Sequence, residues 1–197
     1  MTADCGCLQV LSTAQPDRWR TLLPARHSAF GSLEFASITE RHRDEVARLI
    51  LFRSQDGHAL VVYPLFLRAV SKLLFEADVP HEAWDAASPE YTGPMAMEPT
   101  TEAVGMAFRQ CFEQYCQEGR IVTEFAHLHP WRTASGTCWQ ENVHLNREIV
   151  YVDLDQSEKA LWEGSLTHAC RKNVNRARRE HVRVFAADKP DHIRQFH

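Results

Sequence analysis

The stretch VARLILFRSQDGHALVVYPLFL, residues 46–67, decides the fold. Val46 to Arg53 reads as a strand, with Val46, Arg48, Ile50 and Phe52 interleaved among other apolar residues. Asp56-Gly57 is a hairpin turn signal, because this pair readily takes the positive φ values that tight turns demand. Ala59 to Leu67 returns as the partner strand. The expectation is an antiparallel hairpin turning at Asp56-Gly57.

Outward from the hairpin the pattern changes period. Asp17 to Leu23, between Pro16 and Pro24, reads as a short helix, and residues 31–43 as another. Val104, Phe108, Cys111, Phe112 and Tyr115 follow a three-and-four spacing that Gly119 ends. Ile121 to Ala126 reads as a strand, and Glu148 to Leu154 alternates as another that should extend the sheet. Ser157 is placed to cap a helix containing Leu161 and Trp162. A last helix is expected from Thr167 to Glu180, then a strand from Val182 to Ala186. Alternation of this kind predicts an α/β (α+β) domain, a mixed sheet flanked by helices.

Composition narrows the function classes. With 44% hydrophobic and 24% charged residues, the chain has the make-up of a folded domain and not of a disordered one. No stretch reaches the roughly 18 to 20 apolar residues of a membrane helix. The N-terminus lacks the basic and apolar regions of a signal peptide, so the cytoplasm is the expected compartment. The six cysteines, at 5, 7, 111, 116, 138 and 170, form no Cys-x-x-Cys pair and suggest no disulfide framework. The net charge of −4 conceals an asymmetry: residues 165–185 carry six cations against Glu180, or +5, which leaves −9 elsewhere. A basic patch on an acidic body points to a local anion site.

Four segments are candidates for chemistry. Tyr63-Pro64-Leu65 precedes Arg68. Ser88-Pro89-Glu90-Tyr91-Thr92-Gly93-Pro94 follows, and reads either as a tight loop or as a loop whose Gly93 lets backbone approach a ligand beside Tyr91. Glu124 to Pro130 carries His127-x-His129, whose residues point to one face of a strand. That pair suits a pocket wall or a structural role; no third ligand is placed to complete a metal site. The fourth segment runs from Leu161-Trp162 through Ser165 to Arg171-Lys172-Asn173-Val174-Asn175-Arg176 and His181-Val182-Arg183-Val184. Here Leu166, Cys170, Val174 and Ala177 form an apolar stripe. Arg171, Asn175 and Arg178 form one flanking row; Lys172, Arg176 and Arg179 form the other. These rows are either a solvated face or a phosphate grip.

In this order the four segments resemble the FemAB-type peptidoglycan bridge aminoacyltransferases and their acyltransferase relatives. That family pairs two GNAT-like domains in one chain, and the resemblance covers residues 32–185. It implies a GNAT-like, mostly antiparallel sheet over residues 31–186, after an N-terminal extension of residues 1–30. Residues 187–197 match the opening of a second GNAT-like domain. Two departures stand out: His127 replaces the family's more usual arginine, and Glu180-His181 replaces lysine-glycine. The implied activity is N-acyl or aminoacyl transfer, with this chain as the acceptor-binding half. The implied substrate-binding residues are Tyr91, Gly93, Pro94, Glu124, His127, His129, Arg171, Lys172, Asn175 and Arg176. The resemblance implies a phosphate-bearing, peptidoglycan-precursor-like acceptor, and an aminoacyl-tRNA donor that requires a second domain. No cofactor is expected, since Arg132-Thr133-Ala134-Ser135-Gly136 lacks the spacing and second glycine of a pyrophosphate-cradling loop for CoA. The alternative is a non-catalytic binding module that works with a partner chain.

Overall fold

The computed structural model describes residues 7–23, 28–57, 60–72, 82–97, 101–128, 143–145, 148–187 and 189–194. The chain divides into two compact units, Met1–Val143 and His144–His197. The first holds β1 (Cys7–Leu11), α1 (Pro16–Leu22), α2 (Leu33–Arg43), β2 (Val46–Arg53), β3 (Leu60–Ala69), β4 (Trp84–Ala87), β5 (Met95–Ala96), α3 (Glu102–Glu118) and β6 (Ile121–Phe125). These strands form one mixed, mostly antiparallel sheet in the order β1-β2-β3-β4-β6, with β5 beside β3.

The hairpin forms as its sequence predicts. β2 and β3 pair antiparallel from Val46↔Leu67 to Arg53↔Leu60, and Gly57 takes φ 74° at the turn. Pro64 is tolerated in β3 because it falls between the stretch paired with β5 (Val61, Val62) and the stretch paired with β4 (Phe66 to Ala69). Its missing N–H costs no ladder bond on that side. β1 pairs with β2 along Cys7↔Arg53 to Leu11↔Leu49, so residues read as an extension contribute a strand of the sheet.

Alternation along β2 and β3 gives the sheet two apolar faces. Ala47, Leu49, Leu51, Val62 and Phe66 pack with Trp19, Leu23, Leu33 and Ala36 of the α1–α2 region. Ile50, Phe52, Val61, Tyr63, Leu65 and Leu67 pack with Phe108, Cys111 and Phe112 of α3 on the opposite face. Each buried leucine, isoleucine, valine or phenylalanine among them contributes roughly 1.5–3 kcal/mol relative to exposure, which is what holds the helices to the sheet. Ser32 caps α2 by accepting from the Phe35 N–H (3.2 Å), and Trp19 Nε1 donates to the Gly31 carbonyl (3.0 Å).

The chain between β4 and β6 carries α3, and β4 and β6 consequently run parallel. β4 escapes the sequence reading because Trp84-Asp85-Ala86-Ala87 shows no apolar alternation.

The second unit contains α4 (Glu158–Ala160), a five-residue π turn (Leu161–Ser165), α5 (His168–Arg179) and α6 (Pro190–Arg194). Ser157 caps α4 as expected, accepting from the Ala160 N–H at 3.2 Å. The expected strands at 148–154 and 182–186 are corrected: neither stretch forms a strand, with Val150 98% and Val184 94% exposed. Alternation supplies two chemically distinct faces, and a strand also needs a neighbouring edge to pair with. Among the described residues no helix is long and apolar enough to cross a membrane.

Candidate functional site

The parallel strands β4 and β6 reach their carboxyl ends together, at Ala87 and Phe125. In open α/β sheets the space beyond such ends is where ligands sit. Here the two chains remain joined one step further. The Ser88 N–H donates to the Phe125 carbonyl (2.9 Å). The Ser88 Oγ accepts from the His127 N–H (2.8 Å), 39 positions away in sequence. The Gly93 N–H donates to the His127 carbonyl (2.9 Å). Two of the four sequence segments are therefore one structural piece.

Thr92 anchors the loop from beneath. It is fully buried, and its N–H and Oγ1 both donate to the Pro89 carbonyl (3.3 and 2.8 Å). The turn so formed lifts Tyr91 outward, 37% exposed, with a left-handed φ of 55°. Pro94 is buried behind it. The left-handed residue is Tyr91, and what Gly93 admits is the chain's own strand end. A β-carbon at position 93 would stand 2.8 Å from Leu128 Cδ2, 3.2 Å from Leu128 Cα and 3.3 Å from the His127 carbonyl oxygen.

Glu124 reaches the α3 side of the sheet through a bulge. Trp84 pairs with Ile121 and Asp85 with Thr123, leaving Val122 as the extra residue. The bulge resets the alternation, and Glu124 Oε1 accepts from the Tyr63 hydroxyl at 2.5 Å. Glu124 as a residue is exposed, but protein crowding its carboxyl raises that group above the usual carboxylate range, against the pull of Tyr63 and Arg109. Burial, then the charge of Glu124, pushes the Tyr63 phenol well above its ordinary range. Burial likewise pushes the nearby Cys116 thiol up to about 12, so it stays protonated and unreactive.

On the opposite face, Asp85 is buried and held by Arg68 Nε (2.8 Å) and Nη2 and by Thr123 Oγ1 (2.5 Å), a clasp across β3, β4 and β6. His127 is half-buried with its ring edge-on to Phe125, centroids 4.8 Å apart. His129 lies outside the described residues. Among the described residues no group of three His, Cys, Asp or Glu side chains is placed to hold a metal ion.

The second unit contributes an open cleft of about 480 Å³, lined by Trp162, His168, Arg171, Lys172, Asn175 and Arg179. Arg171 is its scaffold: Nη1 donates to the carbonyls of Trp162 (3.0 Å), Glu163 (3.1 Å) and Leu166 (2.6 Å), closing the π turn onto α5. Arg178 lies over the Trp162 ring, 5.3 Å from its centroid, and is not part of the cleft lining. Arg176 is engaged elsewhere, with Nε on Glu180 Oε1 at 2.8 Å. Sequence reasoning named Arg171, Lys172 and Asn175 but missed Trp162, His168 and Arg179 as one lining. The signal was present in the 168-172-175-179 spacing, which crosses both of the rows read from sequence.

No protein-family profile, curated protein or solved structure matches the chain.

Proposed function

We propose that the chain is the acceptor-binding half of an N-acyltransferase or aminoacyltransferase of FemAB type, with a GNAT-like sheet. One observation carries the reading. The Ser88–Pro94 loop and the His127 strand end, which the resemblance names as separate motifs, are hydrogen-bonded together at the carboxyl ends of a parallel pair. In such chemistry an acceptor amine attacks an ester or thioester carbonyl, its proton is lost and the alcohol or thiol departs. The protein's contribution is to position the reactants and stabilise the developing oxyanion. Tyr91, exposed at the loop tip, and His127 would contact the acceptor. The partners are a phosphate-bearing acceptor resembling a peptidoglycan precursor and, with a second domain, an aminoacyl-tRNA. The expected setting is cytoplasmic, where both are made.

The test is NMR titration of the full chain with a muramyl-peptide nucleotide precursor, alongside a transfer assay from charged tRNA read by mass spectrometry. Shifts confined to Tyr91, His127 and their neighbours support acceptor binding. No shift at those residues under saturating precursor overturns it.

A second reading is a non-catalytic binding module. It is favoured by two groups that stay protonated at neutral pH: the Cys116 thiol, at about 12, and the raised Tyr63 phenol offer neither nucleophile nor base there. Binding without transfer, even with a second domain added, selects it.

A further inference from the structure

We infer that the cleft of the second unit is a site for a phosphate-bearing ligand whose non-phosphate part lies against Trp162. The inference deepens the acceptor-binding reading by naming the residues that hold the phosphate, and it rests on that reading only for the identity of the ligand. His168, Lys172, Asn175 and Arg179 recur at four, three and four residues, which keeps them on one face of α5. At 1.5 Å per residue the row is about 16 Å long, enough for more than a single phosphate.

The cations of this segment are not equivalent, and the structure separates them. Arg171 is spent on three carbonyls, Arg176 on Glu180 and Arg178 on the Trp162 ring. Among the described residues, Lys172 and Arg179 have neither an ion pair nor a hydrogen bond, and both line the cleft. No carboxylate lines it, although acids outnumber bases in the chain, 26 to 22. Two uncompensated cations flanking an amide, on one face and open to solvent, are suited to an oxyanion with several acceptors. Trp162 supplies the other requirement. It presents a broad apolar wall of low conformational entropy, suited to a ring or sugar face. Arg178, packed on the ring outside the cleft, and the Arg171 clasp on the adjoining turn hold that wall in place.

The experiment titrates the full chain calorimetrically with inorganic pyrophosphate and, separately, with adenosine diphosphate. Both are expected to bind, the nucleotide more tightly and with a change in tryptophan fluorescence. Lys172→Ala with Arg179→Ala should weaken both by about tenfold or more. Lys159→Ala with Arg183→Ala removes the same charge outside the cleft and should leave both affinities unchanged. Trp162→Phe keeps a ring and should retain most nucleotide affinity, whereas Trp162→Ala should bring the nucleotide down to the level of pyrophosphate. Absence of saturable binding up to about 10 mM overturns the proposal, as does equal weakening by the two double variants, the mark of charge alone. Lys172 and Arg179 are exposed and, among the described residues, hold no hydrogen bond or ion pair, so their substitution should leave folding intact. Binding of both probes with no acyl transfer, even after a second domain is added, loses the transferase reading and keeps this site. A chain that transfers normally as the Lys172–Arg179 double variant does the reverse.

Discussion

The hydroxyl of Tyr63, in the central strand of the sheet, donates to Glu124 on its edge strand at 2.5 Å. The bond joins a fully buried phenol to a carboxyl that is raised chiefly by burial and opposed by Tyr63 and Arg109. A carboxyl raised on folding binds its proton more tightly in the folded than in the unfolded chain. Its contribution to stability is therefore greatest at acid pH and is lost as pH rises through the raised value. Ionised Glu124 opposes folding at neutral pH, by a small amount because the residue is exposed and solvent screens it. Glu124→Gln keeps an oxygen to accept from Tyr63 and removes the charge. At pH 7 this variant should be at least as stable as the native chain, with its advantage shrinking toward about pH 4. Urea unfolding at the two pH values measures it. A variant that is weaker at pH 7 and recovers at pH 4 would reverse the sign and reject the assignment.

Gly93 carries a different kind of constraint. Alanine there would press on the Leu128 tip, which can swing away, and on the Leu128 Cα and His127 carbonyl oxygen, which belong to the strand end itself. Overpacking against backbone costs roughly 1–3 kcal/mol, so Gly93→Ala should lower stability by that order and loosen the loop from the strand end. Adding Leu128→Ala removes only the softest of the three contacts and should recover part of the loss. Full recovery in chemical denaturation would show that the backbone approach is not what excludes the β-carbon.

These two sites show what the sequence made legible. Asp56-Gly57 and its flanking apolar runs announced the β2–β3 hairpin, because a turn and two strands share one local code. The three-and-four spacing from Val104 to Tyr115 announced α3, and the cap at Ser157 was visible for the same reason. β4 was not visible, because its buried Asp85 is satisfied by Arg68 and Thr123, residues 17 and 38 positions away. The alternation at 148–154 was visible but insufficient, since pairing depends on an edge that no local pattern encodes. The Ser88–Pro94 loop stood out by its glycine and prolines. That Gly93 serves the chain's own strand end follows only from its contact with His127 and Leu128, and that the left-handed residue is Tyr91 only from the turn Thr92 closes on Pro89. On α5, spacing showed that the cations form rows; which of them are free depends on the π turn, Trp162 and Glu180.

Arg171 gives a third test. One nitrogen, Nη1, serves three carbonyls at the end of the π turn, where Leu166 N–H also bonds the Leu161 carbonyl at 3.2 Å. Charged donors to backbone carbonyls contribute roughly 1.5–3 kcal/mol when intact, less where solvent competes. Arg171→Ala should speed hydrogen exchange at Leu166 by about tenfold or more while leaving exchange in β2 and β3 unchanged. Arg171→Lys, with three donors on one nitrogen, should recover part of the protection. Unchanged exchange at Leu166 in Arg171→Ala would mean that the clasp is not what closes the turn.

Tyr91 offers the sharpest separation of stability from recognition. At φ 55° a residue with a β-carbon carries a left-handed penalty of roughly 1–2 kcal/mol, which glycine escapes. Glycine gives back part of that gain through the greater freedom of its unfolded chain. Tyr91→Gly should therefore unfold at the same temperature as the native chain or slightly above it, by about 1 kcal/mol at most. Tyr91→Ala keeps the strain and loses the same phenol, and should show no gain. Both variants remove the exposed ring at the loop tip, so the acceptor-binding reading requires both to lose affinity for the muramyl-peptide precursor by the same factor. Equal stability in the glycine and alanine variants would show that the left-handed backbone is not strained. Undiminished precursor affinity in both would remove Tyr91 from the site, and with it the reason for the loop to hold a tyrosine in that conformation at all.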